Sequence, residues 1–405
     1  MDDVRALISA EVDSKDGDIA RLNQAIYSNP ELAFAEFYVH QTFFELLQSL
    51  GFSVTPHAYG VETAFSAEVG SGGRLVVFNA EYDALPDVGH ACGHNLIASA
   101  SLASFLGAAA VLRSTGIPGR VRLLGTPAEE DGGGKLKLIE NGAYWGCSAA
   151  IMAHPVAGGK LQTPVRGVAF LRTLCNARLL VTYEGREAHA AIAPWAGVNA
   201  LDAICLSYNA ISMLRQHILP TERIHGVFHK SGTRPNVVPG ETAVEYFVRS
   251  NTKTSALALA NRVVNCFRGA ATATGCKVHV ADIACYADLR PSPKLCRAYM
   301  DAMPEGIIAY DEPADILAGS TDMGNVSYET PSFHAGFAVD TEPGVNLHTR
   351  GFTVAAGTRG ALDRAIECGK GMALIGWRVL SDDDFAHDVY EDWERDIKSV
   401  TGMAV

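Results

Sequence analysis

The sequence predicts an α/β protein: a central sheet flanked by helices, with a smaller ferredoxin-like α+β domain inserted into it. Three observations predict this. From Phe52 to Ala153 short apolar runs alternate with helical spacing, the pattern of a sheet covered by helices. From Arg172 to Cys285 the order reads β-α-β-β-α-β, a split βαβ unit that is complete in itself. The stretch Arg290-Pro291-Ser292-Pro293 then reads as the hinge back to the first domain. The expected division is 1–167 and 289–405 for the larger domain, with 168–288 inserted between its two parts.

Ile19, Leu22, Ala25 and Ile26 recur at helical spacing, so 18–28 is read as a helix that Asn29-Pro30 ends. A second amphipathic helix follows over 36–50, stopped by Gly51. Strands are expected at 52–54, 63–69 and 75–79, between Gly-rich turns. Residues 96–112 are almost wholly apolar and small, the composition of a buried helix, and the longest apolar run, near 102–112, is too short to span a bilayer. A strand at 121–125, a short helix at 135–141 and a strand at 149–153 complete the first block. In the second block strands fall at 172–183, 224–230, 242–248 and 277–285, and helices at 198–217 and 255–271. The chain closes with a helix at 294–302, a loop at 319–325, a strand at 332–338, and helices at 354–380 and 383–397.

A chain of 405 residues is long for one core. Hydrophobic content of 48% and charged content of 19% are those of a soluble globular protein. A net charge of −12 argues against nucleic acid and anionic membrane as partners, since both need basic patches. Met1-Asp2-Asp3-Val4-Arg5 lacks the charged-then-apolar plan of a signal peptide. Nine scattered cysteines, an odd number, read as reduced thiols of a cytoplasmic protein.

The chemistry-bearing residues cluster in a few loops. Cys92 and His94, spaced C-x-H around Gly93, are good ligands for zinc-like ions, although that spacing alone is weak. Glu129-Glu130 follow the strand at 121–125. Adjacent carboxylates there divide labour, one binding metal and the other taking a proton from water. The bland alternative, a solvated acidic turn, loses ground because open α/β sheets place their sites at the carboxyl ends of strands. His154 sits at another expected strand end, and His348 in a polar loop. His189, between the first strand and first helix of the inserted domain, reads on its own as a surface histidine capping a helix. The glycines after Glu130 do not make a phosphate loop, because Gly134-Lys135 is followed by Leu136.

Together these segments resemble the M20 metallopeptidase family. The matching stretches are Ser28-Asn29-Pro30-Glu31-Leu32, Glu81-Tyr82-Asp83-Ala84-Leu85-Pro86, His90-Ala91-Cys92-Gly93-His94 and Thr126-Pro127-Ala128-Glu129-Glu130. They continue through Met152-Ala153-His154-Pro155, Gly185-Arg186-Glu187-Ala188-His189-Ala190 and Gly319-Ser320-Thr321-Asp322 to Asn346-Leu347-His348-Thr349. The likeness is greatest to the amidohydrolase branch, which includes aminoacylase-like, aminobenzoyl-glutamate and auxin-conjugate hydrolases, and to a dipeptidase-like subgroup. It implies two divalent ions, Zn2+ first and Mn2+ or Co2+ as alternatives, bridged by the Cys92 thiolate and held by His94, Glu130, His154 and His348. It further implies Glu129 as general base, with Asp83 fixing a ligand imidazole. By the same resemblance 168–288 is a dimerisation and lid domain. His189 then reaches the partner's site in a homodimer, and Asn236 and Arg249 contact a substrate carboxylate. His90 matches the motif without a ligand role.

The chain departs from the branch at Asn95, where an aspartate is usual. That loss of charge gives the expectation of one tight and one weak ion. The expected activity is hydrolysis of the amide bond of an N-acyl amino acid or small dipeptide. A cysteine hydrolase using Cys92 is a second class, but it leaves Glu129-Glu130 without a task. A biosynthetic enzyme trimming or forming an amide would share the same ligands. A non-catalytic scaffold would not need them.

Overall fold

Four parallel strands, Gly119–Gly125, Leu75–Ala80, Cys147–Ala157 and Ser332–Val339, form the middle of the larger sheet in the computed structural model, which describes residues 2–161, 164–281, 284–312 and 316–402. Phe65–Ser71 and Val54–Pro56 extend it antiparallel at one edge, and Gly167–Val168 and Ile308–Ala309 continue it at the other. Every residue of Leu75–Ala80 and of Ser332–Val339 is buried, as expected for strands covered on both faces. Alternate side chains serve the two layers. Val76 and Phe78 join a core that includes the helices His94–Thr115 and Arg359–Ser381. Leu75 and Val77 pack with Leu138 and Val326, from the short helices Gly134–Glu140 and Met323–Glu329.

The small residues of His94–Thr115 let a second helix approach closely. A Cβ at Gly369 would lie 2.6 Å from the Ala100 carbonyl oxygen and 2.8 Å from Ala103 Cβ, so no larger residue fits there. At 22 residues this helix is long and apolar enough to cross a membrane, and it is almost wholly buried within the protein.

The chain divides into two compact units. One comprises Met1–Arg172, Leu289–Asp315 and Thr321–Val405, and the other Thr173–Asp288 with Ile316–Ser320. In the second unit the sheet runs Lys277–Val280, Cys175–Glu184, Glu241–Ser250, Arg223–Lys230, all antiparallel. That is the fourth, first, third, second order of a split βαβ unit. The helices Ala200–Leu214 and Lys253–Thr274 share one core with it, and Thr252 and Ser255 cap the latter reciprocally.

Several elements differ from the sequence expectation. A helix at Asp2–Ser14 precedes the first expected one. The single helix expected at 354–380 is two, Arg350–Ala356 and Arg359–Ser381, because the Thr358 side chain accepts from Ala361 N and starts a new helix. The expected loop at 319–325 contains the start of Met323–Glu329. The strand expected at 277–285 is Lys277–Val280 and Ala284–Tyr286, with 282–283 outside the described residues.

Candidate metal centre

The parallel strands deliver their following residues to one place. Glu81 and Asp83 come after Leu75–Ala80, and Glu129 and Glu130 come after Gly119–Gly125 by way of Thr126-Pro127-Ala128. Cys92 and His94 flank Gly93, whose φ of 80° and tight approach to Pro155 (2.6 Å for a built Cβ) require glycine. His154 was expected at a strand end; it lies inside Cys147–Ala157, opposite Gly336 of the neighbouring strand. His348 is brought in by its backbone N–H, which donates to the Ala91 carbonyl at 2.8 Å, and it holds a left-handed φ of 64°.

The side chains converge. Cys92 Sγ lies 3.3 Å from His154 Nε2. His348 Nε2 lies 3.5 Å, and His94 Nε2 3.9 Å, from Glu130 Oε1; His94 Nε2 is also 3.9 Å from Glu129 Oε2. Three sets of donor atoms each fall within 4.8 Å of one another: Cys92, His94, His154; Cys92, Glu130, His348; and His94, Glu129, Glu130. Cys92 belongs to the first two, so its sulfur stands between them.

Asp83 organises two of these groups at once. Its Oδ1 accepts from His94 Nδ1 at 2.9 Å, which turns Nε2 toward the cluster, and its Oδ2 accepts from Glu130 N at 2.9 Å. His154 Nδ1 donates to the Pro155 carbonyl at 2.7 Å, leaving Nε2 as the donor atom facing Cys92. Among the described residues the buried atoms His94 Nε2 and Glu130 Oε1 have no hydrogen-bond partner. Buried polar atoms are rarely left so, and these two aim at the same few ångströms. Sulfur, imidazole and carboxylate at this spacing fit a zinc-like divalent ion.

Burial, aided by the positive charge of His94 and the neighbouring His334, pushes His154 down to about 3, so it is a neutral ligand. Burial pushes the Cys92 thiol well up, a direction that a cation at its sulfur reverses. Burial also pushes Glu129 well up, and the charges of Glu81, Glu130 and Asp322 add to it. Burial alone would raise Asp83; His94 and the N–H groups of Glu130 and Glu129 hold it below the ordinary carboxylate range.

Two motif residues turn away from the cluster. His90 Nε2 meets the Ile26 carbonyl at 3.0 Å, and burial pushes it down to about 4. Asn95 Nδ2 donates to Asn23 Oδ1 (2.9 Å) and to the Ala356 carbonyl (3.0 Å), so its amide ties helices together.

The sequence reading missed a neighbouring ion cluster. Lys135 Nζ lies 2.5 Å from Glu81 Oε1 and 2.6 Å from Asp322 Oδ1, with all three side chains fully buried. Glu81, Glu129 and Asp322 bring carboxylate oxygens within 4.8 Å of one another, and the Lys135 ammonium occupies the place of a cation among them. Burial alone would lower Lys135, but Asp322 and Glu81 more than reverse this and hold it protonated. Glu81 and Asp322 stood in the motifs already noted; a lysine beside Leu136, Leu138 and Ile139 was the only other signal. His334, also missed, is buried with its ring 6.0 Å from His154.

In the second unit His189 and Asn236 lie together: their segments bridge at Val237, and Ala190 N donates to the Asn236 carbonyl at 3.0 Å. His189 Nδ1 accepts from Ala191 N and Ile192 N, and no regular helix follows it directly. Arg249 is at the other end of Glu241–Ser250, donating to Ser320 Oγ at 3.1 Å. Eight residues of extended strand separate the two ends, roughly 26 Å.

Residues 77–359 match the profile of peptidase family M20/M25/M40. The chain is 39% identical over 379 residues to the Xaa-Arg dipeptidase of Mus musculus, covering 89% of this chain and 85% of that one. It is 32% identical to a p-aminobenzoyl-glutamate hydrolase polypeptide of Escherichia coli K12, covering 62% of this chain and 54% of that one. Among solved structures, a dinuclear metal binding peptidase of the M20 family from Bacillus subtilis superposes with a TM-score of 0.62 at 20% identity, over 91% of this chain and 99% of that one, and shares the fold.

Proposed function

The chain belongs to peptidase family M20/M25/M40 and is a hydrolase of amide or peptide bonds, and on that premise we propose that it is a metal-dependent dipeptidase preferring a C-terminal arginine. N-acyl amino acids are the second substrate class. The observation that carries the reading is the buried Cys92 sulfur shared by two donor sets, with Glu129 at their edge. Cys92, His94 and His154 would hold one ion, and Cys92, Glu130 and His348 the other. The second is the weaker, because the His348 side chain is 54% exposed. When bound, Zn2+ (or Mn2+ or Co2+) polarises the scissile carbonyl and acidifies water.

Glu129 takes a proton from the attacking water as the new C–O bond forms, and delivers it to the departing nitrogen as the C–N bond breaks. Asp83 keeps His94 Nε2 and the Glu130 backbone aimed at the reaction. His189 would donate to the oxyanion, worth roughly 3–4 kcal/mol. Arg249 would take the substrate carboxylate, with Asn236 beside His189.

A homodimer would reconcile the placement of these groups. Asn236 precedes the strand Glu241–Ser250 and Arg249 stands near its far end, and eight residues of extended strand span roughly 26 Å, farther than a dipeptide reaches. If both ends serve one substrate, they come from two copies. The edge strand Arg223–Lys230 offers the surface: Val227 is 54% and Phe228 38% exposed, and among the described residues only Glu241–Ser250 pairs with it.

A thiol nucleophile paired with His154 would use the same 3.3 Å contact. Chelation separates the two readings. The protein should hydrolyse Xaa-Arg dipeptides faster than p-aminobenzoyl-glutamate or N-acetyl amino acids, lose nearly all activity after chelation, and regain it with Zn2+, Mn2+ or Co2+. Full activity in chelator would exclude the metal, and sedimentation of that preparation at the mass of one chain would exclude the dimer.

A further inference from the structure

Glu36 is a completely buried carboxyl at the start of the helix Phe37–Ser49, yet its side chain does not cap that helix. Glu31 does so, accepting from Tyr38 N and Val39 N. Both oxygens of Glu36 are used elsewhere. Oε1 accepts from Ala128 N at 2.8 Å, and Oε2 from Thr63 Oγ1 at 2.8 Å.

Ala128 directly precedes Glu129-Glu130, and it holds a φ of 60°. A left-handed alanine costs about 1–2 kcal/mol and persists only where its surroundings hold it. The restraints are specific. The Ala128 N–H goes to Glu36, the Glu130 N–H to Asp83, and the Ala128 carbonyl accepts from Gly134 N at 3.1 Å. The N–H groups on either side of Glu129 are therefore each held by a buried carboxyl from a different segment.

We propose that Glu36 is a positioning residue whose carboxyl clamps Ala128 in its left-handed conformation and so aims Glu129 and Glu130. The inference rests on the reading of those two residues as base and ligand. Burial, with the negative charge of Asp83 close by, pushes Glu36 up to about 7. The clamp works in either protonation state, since a neutral carboxyl keeps a carbonyl oxygen for Ala128 N–H and the Thr63 hydroxyl can donate or accept. Glutamine reproduces that pattern; aspartate keeps the charge but falls one methylene short.

The test compares Glu36→Gln, Glu36→Asp and Glu36→Ala, measuring kcat, KM and Zn2+ affinity by competition with a chromophoric chelator. Glu36→Gln should stay within about threefold of wild type, while the other two lose roughly 10–100-fold in Zn2+ affinity or kcat, as removal of a ligand's outer partner does. KM should change little, because the clamp serves the reacting groups rather than the substrate's ends. Should Glu36→Ala fail to fold, the aspartate and glutamine variants decide. Equal behaviour of those two, whether both intact or both impaired, overturns the clamp. Glu129→Gln is run alongside: if it retains turnover, the assignment of the base fails instead.

Discussion

Glu129→Gln should lower kcat by roughly 10²–10⁴-fold, the usual worth of a positioned general base. Glutamine keeps the shape of the side chain and removes its ability to take a proton. Burial, with the charges of Glu81, Glu130 and Asp322 added to it, pushes the Glu129 carboxyl up and makes it a stronger base once ionised. It lies outside both donor sets that contain Cys92, so metal content should be unchanged. Single-turnover kinetics beside metal analysis check both halves. Normal turnover, or loss of both ions, would remove Glu129 from the proposed role.

Lys135→Met should destabilise the fold by about 3–5 kcal/mol, because it leaves Glu81 and Asp322 buried without their counter-charge. Urea unfolding at pH 7 measures this. The sign with pH is fixed by the same physics. In the variant the two carboxyls must take protons to stay buried, which raises them above their unfolded values. Stability gained that way is present at low pH and lost as pH rises, so the deficit should shrink on acidification. A loss below about 1 kcal/mol would mean that the cluster does not depend on its lysine.

The convergence of the candidate metal-site residues was legible in the sequence because its chemistry is written in residue types. Cys92, His94, Glu129, Glu130, His154 and His348 follow or lie within parallel strands or their adjoining loops, where an α/β sheet gathers its reactive groups. Burial patterns, too, were strong for Leu75–Ala80 and His94–Thr115. What the pattern could not give was partnership. Lys135 sits in a seven-residue helix, too short to show a period, and nothing local marks its bonds to Glu81 and Asp322, 54 and 187 residues away. Glu36 looked like an ordinary helix start. His154 was placed at the end of a strand read over 149–153, yet the strand runs on to Ala157 in parallel pairing with Ser332–Val339. The break at Thr358 was hidden because apolar spacing continues across it. Asp2–Ser14 was missed because only Ile8 and Val12 are buried, too few to display a helical stripe.

Asn95 shows the opposite case, a departure from pattern with a local reason. Its amide bonds Asn23 and the Ala356 carbonyl, so the residue serves helix packing. The exposure of His348 adds a second ground for expecting one ion to be the weaker.

The central claim is that one sulfur is shared by two metal sites. Anomalous scattering at the zinc edge, from crystals grown with Zn2+, tests it most directly. Two peaks per protomer are predicted, a strong one among Cys92, His94 and His154 and a weaker one among Cys92, Glu130 and His348, with none beside Lys135. No peak within bonding distance of the Cys92 sulfur, or a peak between Glu81 and Asp322 in place of the lysine, would contradict it.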